Sequence, residues 1–338
     1  MMYFWLILGL ITLIIAGEFL VRGAVGIAKR FHISTLVIGM TIISFGTSAP
    51  ELLVCLDAAM SGHPEIAIGN VVGSNIANIA LVLGVTVLIL PIVVDRNSKR
   101  IDWPMMMLAT ALFAIFAWDG EIQRYEGIIL FVILAVFTYW LIRNSRKKTK
   151  KQLAAAAIES EEDEDDDIAK IKDKPAISVV FLLIGLVGLF FGAGWLVHGA
   201  IDIATHFGME ERIIAVTVVA FGTSVPELIT SGVAALRGET DISIGNLIGS
   251  NLFNIMAVIG LTAMVHPIGV SDAIIASDMW WMIAIAVGLL PLMVIGRKIG
   301  RFKGTLLLGT YIAYIAILVI SIINGGDADT TAINSPID

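Results

Sequence analysis

Long apolar stretches separated by short polar loops run through most of the chain. A helix needs about 20 mostly apolar residues to cross a bilayer, and ten stretches approach or exceed that length. The pattern therefore predicts an all-α membrane protein with ten transmembrane helices. The ten predicted spans cover residues 3–28, 34–60, 65–92, 103–118, 125–143, 176–203, 212–237, 242–266, 276–296 and 303–323.

An internal repeat divides these spans into two groups of five. FGTSAPEL at 45–52 returns as FGTSVPEL at 221–228, and IGNVVGSNIANI at 68–79 returns as IGNLIGSNLFNI at 244–255, all with the same offset of 176 residues. Because five is an odd number, the two five-helix repeats enter the membrane in opposite directions and are inverted. Inverted repeats form substrate sites near the bilayer midplane, so the pattern favours a transporter.

The polar segments indicate the domain organisation and the orientation. We expect a first repeat at 1–143, a cytoplasmic charged linker at 144–175, a second repeat at 176–323 and an extracellular polar tail at 324–338. Cytoplasmic loops carry the excess of Lys and Arg, and most of the 22 such residues lie on the linker's side of the spans. Both termini are therefore predicted outside, in a multi-pass protein of the plasma membrane.

The composition agrees with a protein that lies mostly in lipid. Apolar residues make up 57% of the chain and charged residues 15%, against about 45–50% and about 25% in soluble domains. The net charge of −7 comes largely from the run ESEEDEDDD at 159–167, and no basic stripe indicates a nucleic-acid partner. A single cysteine, Cys55, excludes a disulfide framework within the chain.

Two carboxylates carry the candidate chemistry, because Glu51 and Glu227 lie midway along equivalent spans. Placing one charged carboxylate at the middle of the bilayer costs about 2.5–3.5 kcal/mol of insertion free energy. Arg22 is the one Lys or Arg that lies inside a predicted span and not at its end, and it has Glu18 four residues away. A structural ion pair is therefore disfavoured. Compensation by a mobile cation is favoured, and a protonated pair is a third possibility because burial disfavours the charged form.

The residues before each glutamate indicate the kind of cation. Pro50 and Pro226 remove a backbone donor and clash with the carbonyl four residues back, so each helix must kink or open. Unpaired backbone is tolerated at membrane depth only where it lines a cavity or is buried in protein. The freed carbonyls, together with the hydroxyls of Ser48 and Ser224, form an all-oxygen set of ligands that suits hard ions such as sodium and calcium.

A second motif adds neutral oxygens in each half. Ser74 and Asn78 are four residues apart, as are Ser250 and Asn254, so each pair shares one helix face. Such residues can also serve as hydrogen-bonding contacts between helices. With the two glutamates they offer two negative charges, which one divalent or two monovalent ions would neutralise.

The paired GTS-x-PE and GSN-x-x-N elements resemble the alpha repeats of the calcium/cation antiporter superfamily, and those of prokaryotic sodium/calcium exchangers in particular. The resemblance implies that Glu51 and Glu227 hold calcium with backbone oxygens of Thr47 and Thr223. Family members often carry aspartate where this chain has Asn254, which argues against potassium coupling. The sodium sites that the resemblance implies draw on Ser44, Ala220, Ser48, Ser224, Ser74, Ser250 and Asn78.

We therefore expect a secondary active antiporter that exchanges sodium for calcium by alternating access, with the transported ions as its ligands and no cofactor. A calcium/proton antiporter of the same superfamily is the alternative. An intramembrane enzyme is disfavoured, because the chain has no HExxH motif and no histidine near Ser48 or Ser224. A non-transporting sensor that acts through the cytoplasmic linker is a further alternative. The bilayer is the surrounding partner, and the sequence leaves the oligomeric state open.

Overall fold

The computed structural model describes residues 2–159, 175–207, 220–296 and 298–333, and almost all of its secondary structure is helical. The first half contains α1 (Met2–Phe31), α2 (Thr35–Ile38), α3 (Ser44–Thr47), α4 (Ala49–Met60), α5 (Pro64–Ala77), α6 (Leu83–Ile89), α7 (Trp103–Phe116) and α8 (Arg124–Glu159). The second half contains α9 (Pro175–His206), α10 (Ala220–Thr223), α11 (Val225–Leu236), α12 (Thr240–Phe253), α13 (Gly260–Val265), α14 (Met279–Val294) and α15 (Arg301–Ile333).

Several helices continue into one another through π-helical turns, in which one extra residue is inserted. A short 3₁₀ turn at Ala117–Asp119 also follows α7. The π turns cover Gly39–Ile43, Asn78–Val82, Ser98–Asp102, Asn254–Ile259 and Ile274–Asp278.

Eight helical segments in the described part of the chain are long and apolar enough to cross a membrane. Two further segments, Thr35–Thr47 and Ala49–Met60, together form a ninth candidate. They are bent by 41° relative to each other at the residue between them. The helix Val225–Leu236 is the second part of the predicted span 212–237, and residues 212–219 lie outside the described part. The structure is thus that of a helical protein with eight to nine membrane-span candidates.

Four two-residue strands correct the expectation of a purely α-helical chain. They are β1 (Ile92–Val93), β2 (Glu121–Ile122), β3 (Ile268–Gly269) and β4 (Lys298–Ile299). β1 pairs with β4 and β2 with β3, both antiparallel, so each pair joins a loop of one half to a loop of the other. Segments this short carry no strand pattern in the sequence, because their pairing depends on how the helices bring the loops together.

Two helices extend beyond the predicted domain boundaries. α8 continues past residue 143 to Glu159, so the predicted linker begins as a helix, and the rest of its acidic run at 160–167 lies outside the described residues. α15 continues to Ile333, into the predicted tail. The domain boundaries themselves stay a prediction.

α1 and α9 pack against each other in antiparallel orientation through close backbone contacts. A Cβ at Gly9 would lie 2.5 Å from the backbone nitrogen of Leu196, and one at Gly23 would lie 2.5 Å from that of Leu182. Glycine at these positions allows the two backbones to approach, as small residues do in membrane helices.

We expect Gly23→Ala to lower the thermal unfolding midpoint in detergent. Alanine would normally favour the helix by about 1 kcal/mol, but overpacking typically costs about 1–3 kcal/mol, and here the neighbouring atom is backbone. Gly309→Ala on α15 is the matched control, since no described residue lies within 4 Å of a Cβ at that position. An unchanged or raised midpoint for Gly23→Ala would contradict this account of the α1–α9 contact.

The two halves interlock around the predicted site. α12 of the second half lies against α2 and α3 of the first half, and α4 and α5 contact the π turn Asn254–Ile259. In the other direction, α11 contacts the π turn Asn78–Val82. The motif-bearing helices of both repeats therefore meet at the centre of the structure.

Candidate functional site

Each candidate glutamate lies in the first turn of a helix that begins at a break. Ser48, with φ −86° and ψ 4°, separates α3 from α4, and Ser224, with φ −87° and ψ 0°, separates α10 from α11. Pro50 and Pro226 follow two residues later, where their missing N–H groups leave the carbonyls four residues back without a helical donor. Glu51 and Glu227 therefore lie beside freed backbone oxygens and at helix N-termini, which favour negative charge.

The two carboxylates are fully buried and close enough to repel each other electrostatically. None of their four oxygens has a hydrogen-bond partner of good geometry among the described residues, although the hydroxyls of Thr47 and Ser250 lie near the carboxylate of Glu227. Two buried charges of the same sign are unfavourable without compensation, so this centre requires positive charge from a bound cation or a proton.

The cationic side chains that the structure describes do not supply that charge. Arg22 donates to Glu18 at 2.6 Å on its own helix, as the sequence predicts. Arg237, at the end of α11, also donates to Glu18, at 2.5 Å. Neither Glu51 nor Glu227 forms an ion pair with a described residue, so a structural ion pair does not account for the two glutamates.

Several neutral polar side chains of the predicted site are buried as well. Within the described part of the chain, five predicted residues with neutral side chains are buried and have side-chain polar atoms without a hydrogen-bond partner. Buried polar groups are nearly always hydrogen-bonded in proteins, so each exception needs an explanation. These five residues are Ser48, Ser74, Asn78, Ser224 and Asn254.

Asn78 and Asn254 begin the π turns that follow α5 and α12. A π turn inserts one residue into the helix and is frequent at functional sites. Both side-chain amides are fully buried, with their nitrogen and oxygen atoms unpartnered among the described residues. The repeat thus places equivalent amides at equivalent distortions of the two helices.

Three of the remaining predicted residues, Thr47, Ser250 and Thr223, make contacts between the halves. Thr47 Oγ1 lies 3.3 Å from Ser250 Oγ. Ser44 donates its hydroxyl to the carbonyl of Gly39 at 2.8 Å. The Thr223 hydroxyl donates to Asn70 Oδ1 in the opposite half at 3.4 Å. Ala220 is the first residue of α10, and the structure describes its backbone only.

Two residues at this centre were missed by the sequence reasoning. The backbone oxygen of Asn246 lies 3.1 Å from Ser44 Oγ, and its Oδ1 lies 3.4 Å from Thr47 Oγ1. Asn70 is its repeat equivalent and accepts from Thr223. The signal was present, because both asparagines belong to the repeated IGN segments, at positions 176 residues apart.

No group of three or more His, Cys, Asp or Glu residues in the described part of the chain could hold a metal ion. The centre instead combines two carboxylates with hydroxyl, amide and backbone oxygens. That set suits a hard cation such as sodium or calcium, whereas copper and zinc sites favour nitrogen and sulfur ligands.

Comparison with known proteins identifies the family. A family model described as "Sodium/calcium exchanger protein" matches residues 1–143 and 177–320. The chain belongs to the sodium/calcium exchanger family. The resemblance inferred from the two repeated motifs is therefore confirmed.

The chain aligns with known relatives over nearly its whole length. CaxA of Alkalimonas amylolytica is 37% identical over 92% of this chain and 96% of its own length. The sodium/calcium exchanger MaX1 of Methanosarcina acetivorans is 34% identical over 93% of this chain and 97% of its own length. A solved structure of the sodium-calcium exchanger NCX_Mj superposes with a TM-score of 0.79 at 32% identity, covering 93% of this chain and 97% of that one.

Membership of this family makes the chain a multi-pass membrane antiporter whose transported ions are its substrates. The family is one of transporters, not of enzymes. The family match also omits residues 144–176, which include the charged linker predicted from the sequence.

Proposed function

We propose that this antiporter exchanges sodium for calcium across the plasma membrane. The observation that carries the proposal is the pair of buried carboxylates, Glu51 and Glu227, which lack hydrogen-bond and ion-pair partners among the described residues. One calcium ion or two sodium ions would neutralise the pair. Either kind of ion could then replace the other without leaving a bare buried charge, which is the electrostatic requirement for exchange.

The proposed site combines ligands from both repeats. Glu51 and Glu227 bind calcium together with the backbone oxygens of Thr47 and Thr223, and neutral oxygens complete the sodium positions. The unpartnered hydroxyls and amides support this assignment. The further residues of the proposed site are Ser44, Ser48, Ser74, Asn78, Ala220, Ser224, Ser250 and Asn254.

The proposed architecture has ten transmembrane helices in two inverted five-helix repeats, at 1–143 and 176–323, with both termini outside. The constant offset of the motifs and the cross-pairing of β1 with β4 and β2 with β3 support it. The cytoplasmic linker is proposed at 144–175 and the extracellular tail at 324–338. Alternating access would then expose the midplane site to each side in turn, as α1 and α9 move past the helices that carry the motifs.

Calcium-45 flux into proteoliposomes tests the driving ion. We expect an outward sodium gradient to drive calcium uptake, because the neutral amides of Asn78 and Asn254 can coordinate sodium but do not titrate. A potassium gradient of the same size serves as the matched control and should drive little uptake. Uptake driven by a pH gradient in the absence of sodium would contradict the proposal and would support the alternative, calcium/proton antiport.

A further inference from the structure

An asparagine of each repeat bridges two helices beside the proposed site; Asn246 is fully buried and Asn70 is half-buried. In the second half, the Asn246 amide donates to Ser231 Oγ on α11 at 3.2 Å, and its Oδ1 lies 3.4 Å from Thr47 Oγ1 on α3. All three side chains are buried. Asn246 thus links its own half to the threonine that immediately precedes the helix break of the other half.

The same bridge occurs in the first half with the same register. The Asn70 amide donates to Cys55 Sγ on α4 at 3.4 Å, and its Oδ1 accepts from Thr223 Oγ1 on α10 at 3.4 Å. Asn70 and Asn246, Cys55 and Ser231, and Thr223 and Thr47 are three pairs of repeat equivalents, each 176 residues apart. Two bridges between equivalent residues indicate a constraint that the repeat preserves.

We propose that Asn246 and Asn70 are positioning residues, which fix Thr47 and Thr223 so that their backbone oxygens face the transported cation. The inference rests on the proposed function, because those two oxygens belong to the proposed site. Each threonine is the last residue before a break, where fewer helical hydrogen bonds fix the backbone. A hydrogen bond from its side chain to the opposite repeat supplies the missing constraint.

The two bridges are unequal. The Ser44 hydroxyl, which donates to Gly39 at 2.8 Å, also lies 3.1 Å from the backbone oxygen of Asn246, whereas the equivalent residue in the other half, Ala220, has no hydroxyl. Ser231 accepts through oxygen, whereas Cys55 offers sulfur, which is a weak acceptor. We therefore expect the Asn246 bridge to hold Thr47 more firmly than the Asn70 bridge holds Thr223.

A double-mutant cycle on Thr47→Val and Asn246→Ala tests the positioning role. Valine removes the threonine hydroxyl, with its contacts to Asn246 and Ser250, but keeps the backbone carbonyl. The cycle isolates the part of its effect that depends on Asn246. We expect each single variant to raise the calcium concentration for half-maximal binding about tenfold, as the loss of one buried hydrogen bond would. The double variant should bind no more weakly than the weaker single variant, because both changes remove the same constraint. Calcium-45 binding to purified full-length protein is the measurement.

Thr110→Val is the matched control, since Thr110 is buried and, among the described residues, donates to Met106 of its own helix α7, at 2.9 Å. It should bind calcium as the wild type does. Wild-type affinity in Thr47→Val, or effects of the two single variants that multiply in the double variant, would overturn the positioning role. If Asn246→Ala does not fold, Ser231→Ala in its place removes the other end of the bridge.

Variants in the first half test the predicted difference in strength between the Asn246 bridge and the Asn70 bridge. Asn70→Ala should weaken calcium binding less than Asn246→Ala, and Cys55→Ser should tighten it by strengthening the weaker bridge. An equal or larger effect of Asn70→Ala would overturn the ranking. Failure of the proposed function would look different, because the wild-type protein itself would then not bind calcium.

Discussion

Replacing Glu51 or Glu227 with glutamine is expected to reduce calcium transport at least about a hundredfold. Glutamine has almost the same shape but no charge, so the site would offer calcium one negative charge instead of two. Removing one partner of a buried charge interaction costs about 3–5 kcal/mol, and each 1.4 kcal/mol is about tenfold in affinity. Initial rates of calcium-45 uptake, normalised to folded protein in the proteoliposomes, measure the effect.

Glu65→Gln is the matched control for these variants. Glu65 is exposed and lies in the first turn of α5, so its charge does not face the buried pair, and we expect uptake close to that of the wild type. Normal uptake by either Glu51→Gln or Glu227→Gln would show that the pair does not hold the transported ion.

The same variants should also respond differently to heat. In cation-free buffer the two buried carboxylates are destabilising, because they either repel each other or must take up a proton. Glutamine removes one of them, so the unfolding midpoint is expected to rise above that of the wild type. Added calcium stabilises only a protein that binds it, so calcium should raise the wild-type midpoint and leave those of the variants unchanged. A normal calcium-induced rise in the variants would contradict the assignment.

The second large effect is expected for Gly249→Ala, in the GSN motif of α12. A Cβ at position 249 would lie 2.6 Å from the Cα of Met40 and 2.7 Å from its carbonyl oxygen. Because these atoms are backbone, α12 would have to move away from the segment that leads to Ser44 and Thr47. Ser250 and Asn254 lie on the same helix as Gly249 or at its end, so we expect loss of both transport and thermal stability.

Gly288→Ala on α14 is the control for this substitution. No described residue lies within 4 Å of a Cβ at position 288, so alanine should preserve uptake and leave the unfolding midpoint unchanged or slightly higher. Wild-type transport and stability in Gly249→Ala would contradict the close approach of α12 to the first repeat.

Local patterns in the sequence were sufficient for the helices and for the breaks within them. Apolar stretches predicted the membrane segments, and Pro50 and Pro226 predicted the breaks that the structure contains at Ser48 and Ser224. The burial of Glu51 and Glu227 followed from the same patterns. These features depend on residues close together in the chain, so they can be predicted without knowledge of the packing.

Features that depend on packing between the halves could not be predicted in this way. Glu18 and Arg22 are four residues apart and were predicted to pair, but the contact of Glu18 with Arg237 arises from the packing of α1 on α11. The bridges of Asn70 and Asn246 likewise join residues more than 150 positions apart. The repeat pointed to both asparagines, but only the folded structure reveals their partners.

Equilibrium binding of calcium-45 to the purified protein, with sodium as competitor, tests the central claim most directly. If one site built on Glu51 and Glu227 serves both ions, the protein binds one calcium ion per chain, sodium displaces it, and Glu51→Gln or Glu227→Gln abolishes the binding. Calcium binding that sodium does not displace, or that survives in both glutamine variants, would contradict the claim.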